Sequence, residues 1–121
     1  MRTIVYYKTE AGTCPAKDFI NGLEDVQIEA VFNNIGVVRD LETHVPRTII
    51  KKFTADLWEI ITKSGGLQIR ILSFFDGGSM IVLASGFVKK TKKTPLNEIR
   101  TAEKRRKDYL KRKQKRRAND T

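Results

Sequence analysis

Residues 56–88 read DLWEIITKSGGLQIRILSFFDGGSMIVLASGFV, and this stretch decides the fold. Three runs in it, at 56–61, 67–75 and 79–88, are rich in β-branched and aromatic residues, which is typical of strands. Ser64-Gly65-Gly66 and Asp76-Gly77-Gly78 separate the runs and have the composition of hairpin turns. The sequence therefore predicts a three-stranded antiparallel meander.

One strand and two helices are predicted before the meander. RTIVYY at 2–7 has strand composition, and Pro15 suits the first position of a helix. Asp25 can cap a second helix. The apolar residues at helical spacing are Phe19, Ile20 and Leu23 in the first helix, and Ile28, Val31, Phe32, Ile35 and Val38 in the second.

One helix is predicted after the meander, with Thr94 as N-cap and Pro95 as its first residue. Its apolar side is marked by Leu96, Ile99, Ala102, Tyr109 and Leu110. The element order is thus β-α-α-β-β-β-α. This order predicts an α+β fold in which a small antiparallel sheet carries its helices on one face and leaves the other face open.

The positive charge is concentrated at the C-terminal end. The chain has 121 residues, which suits one domain, and a formal net charge of +10. Residues 1–88 hold 9 Lys and Arg and 10 Asp and Glu, whereas residues 89–121 hold 15 and 4. We therefore expect a domain at 1–110, a basic tail or helix extension at 111–121, and a polyanionic partner such as RNA, DNA or an acidic protein. A tail that only aids solubility is the alternative.

Several classes of protein are disfavoured by composition. The longest apolar stretch, Met80 to Ala84, is far too short to cross a bilayer, and KRKQKRR at 111–117 lacks the apolar face of a membrane-surface helix. The N-terminus lacks the apolar run of a secretory signal, so we expect a cytoplasmic protein. With one cysteine, Cys14, and one histidine, His44, we expect no disulfide, metal centre or cofactor.

Arg70 is a polar residue in the middle of the second meander strand. The period of two places Leu67, Ile69 and Ile71 on the core side and Arg70 on the opposite, open face. Arg70 is therefore a candidate binding residue. The alternative is an ordinary strand arginine paired with Glu59 on the neighbouring strand.

The sequence resembles the RelE/ParE superfamily of bacterial toxins, and within it the phage-associated HigB-type branch. The features that carry this resemblance are LWEI at 57–60, Arg70 before SFF, GFVKKTKKTP at 86–95 and a helix ending near Tyr109. VYYKTEAGTCPAKDFI at the N-terminus fits as well, so the resemblance covers residues 3–110. One position departs from the pattern, because Ile61 stands where relatives commonly have an arginine.

The resemblance implies a RelE-like fold and the toxin of a type II toxin-antitoxin pair, encoded by a bacterium or a phage. Such toxins bind the ribosomal A site and cleave messenger RNA there without a metal. A small antitoxin, often a helix-turn-helix protein, silences them and provides the only link to DNA. Two alternatives remain: a ParE-like inhibitor of DNA gyrase, and a non-catalytic module that binds RNA or the ribosome.

The implied reaction is attack of a 2′-OH on the adjacent phosphate, which needs a base, an acid and cations. Lys and Arg suit the developing negative charge. A lysine acts as a base at neutral pH when neighbouring cations favour its neutral form, and clustered lysines supply such neighbours. The candidate catalytic residues are Arg70, Lys89, Lys90 and Tyr109, and the candidate RNA-binding residues are Lys51, Lys52, Lys92 and Lys93.

Overall fold

The computed structural model describes residues 1–41 and 44–120, and it shows five strands and three helices in one α+β unit. They are β1 (Thr3–Tyr6), α1 (Pro15–Asn21), α2 (Asp25–Asp40), β2 (Ile50–Lys52), β3 (Trp58–Ser64), β4 (Leu67–Asp76), β5 (Met80–Val88) and α3 (Leu96–Asp120). The α+β class is confirmed. The element order is the predicted one with β2 added.

The sheet has the strand order β1-β5-β4-β3-β2. Strands β3, β4 and β5 form the predicted antiparallel meander, and β2 pairs antiparallel with β3. The first strand, β1, lies parallel to β5, so the sheet is mixed rather than purely antiparallel. The sequence did not indicate β2, because a three-residue edge strand reading IKK is too short to show a period of two.

Helices cover both faces of the sheet, which corrects the expectation of one open face. The first face packs against α1 and α2, where Ile20 and Val31 join Ile69 and Leu83 in one buried cluster. The second face packs against α3, in a separate cluster of buried and partly buried residues that contains Leu72, Phe74, Val82, Ala84, Ile99, Ala102 and Tyr109. The physical reason is that β4 and β5 carry apolar side chains on both faces, and those of the second face also need cover.

Helix α2 begins one residue earlier than its predicted cap suggested. Glu24 is the N-cap, and its backbone N–H donates to Gln27 Oε1 at 3.1 Å in a capping box. Asp25, the predicted cap, is the first helical residue. Phe32, predicted on the buried stripe, is 45% exposed, since the buried side of α2 is carried by Val31, Ile35 and Val38.

Helix α3 runs from Leu96 to Asp120, so residues 111–120 continue the helix. Its length is about 37 Å. Pro95 precedes the first helical residue, and its carbonyl accepts the backbone N–H of Glu98 at 3.0 Å. In the described part of the chain, the apolar stretches of all helices are too short or too charged to cross a membrane.

Candidate nucleic-acid interface

Arg70 lies in β4 on the second face, where α3 covers the sheet. Its side chain is only 7% exposed, so it does not project from an open face as the sequence analysis expected. One guanidinium nitrogen, Nη1, donates to Glu59 Oε1 on β3. The other, Nη2, donates to Gln68 Oε1 at 2.7 Å. The structure therefore shows the pairing with Glu59 that the sequence analysis gave as the alternative.

The Glu59–Arg70 pair continues into the segment before α3. The hydroxyl of Thr94 donates to Glu59 Oε2 at 3.2 Å, and both residues are buried. Arg70 Nε is buried and has no hydrogen-bond partner in the described part of the chain. A line of polar contacts thus runs from Gln68 through Arg70 and Glu59 to Thr94.

Residues 89–93, here called the lysine loop, are held at both ends by this line. The backbone N–H of Lys89 donates to the Gln68 carbonyl at 2.8 Å, and Thr94 follows the loop. Within the loop, the hydroxyl of Thr91 donates to the carbonyl of Lys93 at 2.6 Å. A backbone hydrogen bond at its start and the buried bond between Thr94 and Glu59 at its end therefore anchor a surface loop that carries four lysines in five residues.

The lysine loop borders a shallow depression of about 360 Å³. Its lining residues are Gln68, Lys89, Lys90, Thr91 and Lys92. Lys89 is half-buried, whereas Lys90 and Lys92 are exposed, as is Lys93 beside the depression. None of the described residues that line the depression is acidic. This arrangement is suited to a phosphate group, because the cations are close together and unopposed by carboxylates.

Lys51 and Lys52 of β2 lie on opposite faces of the sheet. Lys51 is directly opposite Glu59 in the β2–β3 register, and thus on the second face with Arg70. Lys52 is opposite Trp58. Both lysines line a depression other than that of the lysine loop, together with Arg2 and Arg47. Of the two, only Lys51 shares a face with the Glu59–Arg70 pair.

Tyr109 lies at the far end of the second face. Its hydroxyl donates to Asp76 Oδ2 at 2.6 Å, and its ring stands edge-to-face with Phe74 at 5.3 Å between centroids. Burial, followed by the hydrogen bond to Asp76, raises the pKa of Tyr109 to about 12. Asp76 is six residues after Arg70 on β4, a separation of about 20 Å. The structure therefore places Lys89 and Lys90 beside Gln68, which bonds to Arg70, and leaves Tyr109 apart from them.

Gln68 had no predicted role and Thr94 only that of an N-cap, although both connect the buried pair to the lysine loop. Gln68 had a usable signal, because the period of two places it on the same side of β4 as Arg70. No local sequence signal indicated the role of Thr94, because its partner Glu59 is 35 residues away in sequence. Ile61, at the position where relatives have an arginine, lies opposite Arg70 in the register and is buried.

One family model matches the chain over residues 18–107, and its description is phage-derived protein Gp49-like (DUF891). The matched range begins within α1 and ends in α3, so it includes Glu59, Arg70 and the lysine loop. It stops before Tyr109 and before the basic end of α3. Among curated proteins, none matches the chain with significant similarity.

Proposed function

We propose that this protein is a ribosome-dependent endoribonuclease. The chain belongs to the Gp49-like family of phage-derived proteins (DUF891), which is a toxin-like family of RelE/HigB type. As the toxin of a type II toxin-antitoxin pair, it cleaves messenger RNA in the ribosomal A site. The observation that carries the proposal is the lysine loop, a cluster of surface cations that starts with a backbone hydrogen bond from Lys89 to Gln68 and is followed by Thr94, which bonds to the buried Glu59.

The reaction requires the 2′-oxygen of one nucleotide to bond to the adjacent phosphorus while the bond to the 5′-oxygen breaks. The proton of the 2′-OH goes to a base, and the leaving 5′-oxygen takes a proton from an acid. The products are a 2′,3′-cyclic phosphate and a free 5′-hydroxyl. Negative charge on the phosphate increases in the transition state, so fixed cations lower the barrier.

Lys89 and Lys90 are the residues best placed to contact that phosphate, because both line the depression beside Gln68. Lys92 and Lys93 extend the positive charge along the RNA backbone. Arg70, a candidate catalytic residue from the sequence, is not placed to contact the phosphate, since its guanidinium is enclosed and bonded to Glu59 and Gln68. We assign Arg70 as a positioning residue, since it bonds to the Gln68 side chain near the start of the lysine loop and to Glu59, which also accepts the hydroxyl of Thr94 at the end of the loop.

The proposal is tested by inducing the protein in a bacterium and mapping transcript ends. The wild type should generate new ends within translated regions and stop growth, whereas Lys89→Ala with Lys90→Ala should abolish both effects. Lys8→Ala with Lys17→Ala is the matched control, because both lysines are exposed and lie outside the lysine loop. The control should cleave like the wild type.

Two other outcomes would each overturn the nuclease proposal. Intact transcripts together with an SOS response and gyrase trapped on DNA would indicate a ParE-like inhibitor. Intact transcripts together with salt-dependent ribosome binding would indicate a non-catalytic module.

The proposed function includes a cognate antitoxin as partner. A surface with this much positive charge is complementary to an acidic protein segment, which would cover the lysine loop and block RNA. We expect a small helix-turn-helix protein that co-purifies with the chain and connects it to DNA. Co-expression should restore growth.

A further inference from the structure

The outward side of α3 carries a stripe of five cations that the proposed reaction does not use. The stripe, here called the α3 stripe, consists of Arg100, Lys104, Lys107, Lys111 and Lys115, and all five side chains are exposed. At about 100° per residue they fall within an arc of about 80°. Ala102 and Tyr109, which pack against the sheet, lie on the opposite side of the helix.

Among the described residues, no acidic side chain forms an ion pair with the α3 stripe, including Glu103, which lies at its edge between Arg100 and Lys107. Asp108 binds Arg112 at 2.7 Å and accepts the Tyr7 hydroxyl at 2.6 Å, while Asp76 binds Lys113. Asp56 lies 3.6 Å from Arg106. These cations point toward the body of the protein. In the part of the chain that the structure describes, the five outward cations form no ion pair.

The α3 stripe is straight and firmly supported. Successive members are three or four residues apart, which spaces them by about 4.5 to 6 Å over a total of about 22 Å. Arg105, on the inner side, donates to the Ala84 carbonyl at 3.0 Å and to Ser85 Oγ at 2.7 Å, which fixes the helix on β5. The cations are therefore presented on a rigid element.

We propose that the α3 stripe binds the sugar-phosphate backbone of double-stranded RNA. The stripe contains no aromatic side chain, whereas proteins that bind single strands stack bases on aromatic residues. Its five members are all Lys or Arg, side chains that contact phosphates on a duplex, and Gln114 is the exposed polar side chain beside them. A duplex provides phosphates at fixed positions for a rigid row of cations.

The distance by which α3 projects from the sheet favours an RNA duplex over a DNA duplex. Because its inner half is packed on the sheet, the helix projects by about 5 to 6 Å, half of its diameter. The major groove of B-DNA is about 8.5 Å deep and requires deeper insertion. The minor groove of an RNA duplex is wide and shallow, with phosphates and 2′-hydroxyls accessible. The identification of ribosomal RNA as the natural duplex rests on the proposed function.

The test is a salt titration of the full-length protein with a labelled 20-base-pair RNA duplex, followed by fluorescence anisotropy. Each lost phosphate contact reduces the magnitude of the negative slope of log K against log salt by about 0.9. The triple variant Lys104→Gln, Lys107→Gln, Lys111→Gln should reduce that magnitude by about 2 to 3, with at least a tenfold loss of affinity at low salt. The control triple variant Lys17→Gln, Arg47→Gln, Lys63→Gln has the same net charge and should keep the wild-type slope.

Three results would overturn the inference: equal losses in both triple variants, tighter binding of a single strand of the same sequence, or tighter binding of the matching DNA duplex. Circular dichroism of both variants should show the wild-type helix content. The duplex is tested without ribosomes, so its binding is measured independently of cleavage in cells. The protein can fail to bind the duplex and still cleave transcripts, or it can bind the duplex and cleave no transcripts. The failure of this inference is thus distinguishable from failure of the proposed function.

Discussion

Arg70 and Glu59 form an ion pair that is enclosed between the sheet and the segment leading into α3. Their side chains are 7% and 0% exposed. They lie on adjacent antiparallel strands, two residues out of direct register, because Arg70 is opposite Ile61 and Glu59 is opposite Leu72. Glu59 also accepts the hydroxyl of Thr94, so the pair joins two strands to the end of the lysine loop.

The first prediction is that Arg70→Met destabilises the protein strongly. It leaves the Glu59 carboxylate buried without its cation, which costs about 3 to 5 kcal/mol in the free energy of unfolding. The measurement is urea denaturation followed by circular dichroism. Adding Glu59→Leu to Arg70→Met should recover most of the loss, because two apolar side chains then replace the pair.

The activity of these variants separates positioning from direct phosphate contact. If Arg70 only positions Gln68 and the lysine loop, the stable Glu59→Leu, Arg70→Met double variant should keep part of its RNA cleavage. If cleavage is lost entirely while the double variant is as stable as the wild type, Arg70 contacts the substrate.

The second prediction concerns alkaline pH. Tyr109 has a folded pKa raised to about 12 from 10.0, so its neutral form is favoured by folding. Its contribution to stability is complete below pH 10 and is lost as the pH rises through about 12. Tyr109→Phe keeps the ring but lacks this dependence, so the stability difference between the two proteins should shrink above pH 10.

Tyrosinate absorbance provides an independent readout for Tyr109. The wild-type titration minus that of Tyr109→Phe should have a midpoint near 12. A midpoint near the ordinary value of 10.0 would contradict the buried hydrogen bond to Asp76.

The third prediction concerns acid. Hydrogen bonds from Lys113 and then Tyr109 hold the pKa of Asp76 below its usual value of 3.8. Asp76 therefore stabilises the fold above about pH 4, and this contribution is lost as the pH falls through the lowered pKa. Asp76→Asn should cost about 2 kcal/mol at pH 7, and the cost should decrease in strongly acidic solution.

Thermal melts at pH 7 and pH 2.5 measure the acid effect. Asp18→Asn, at an exposed carboxyl on α1, is the control and should change the melting temperature little at either pH. A cost for Asp76→Asn that is the same at both pH values would show that its charge does not contribute.

The fourth prediction concerns the contact between α1 and β5. A Cβ on Gly86 would lie 2.1 Å from Cδ2 of the Phe19 ring, so Gly86→Ala forces the ring to move. We expect a loss of about 1 to 3 kcal/mol. Adding Phe19→Leu should recover part of it, because a smaller side chain leaves room for the methyl group. Urea denaturation of both single variants and the double variant gives the coupling energy.

Local sequence patterns predicted much of the fold. The glycine turns and the apolar alternation located β3, β4 and β5, and helical spacing located α1, α2 and the start of α3 to within a few residues. These signals are local, because a turn or an amphipathic face is encoded by neighbouring residues. The parallel pairing of β1 with β5 had no local signal, since it joins residues 77 positions apart.

The site was only partly predictable for the same reason. The lysines of the loop are adjacent in sequence, so their clustering could be expected before the structure was known. The separation of Tyr109 from Arg70 could not be expected from the sequence, because it depends on the direction in which α3 crosses the sheet. The outward orientation of the α3 stripe likewise depends on which side of the helix packs against β4 and β5.

The sequence by itself determined every element except β2, the order of those elements and the C-terminal concentration of charge. Only the tertiary structure decided that α3 covers the second face of the sheet and encloses Arg70. Alternation in a strand assigns each side chain to one of two faces, but burial depends on what another part of the chain places over that face. Leu72 and Phe74 favour covering the second face, and α3 supplies the apolar surface that buries them.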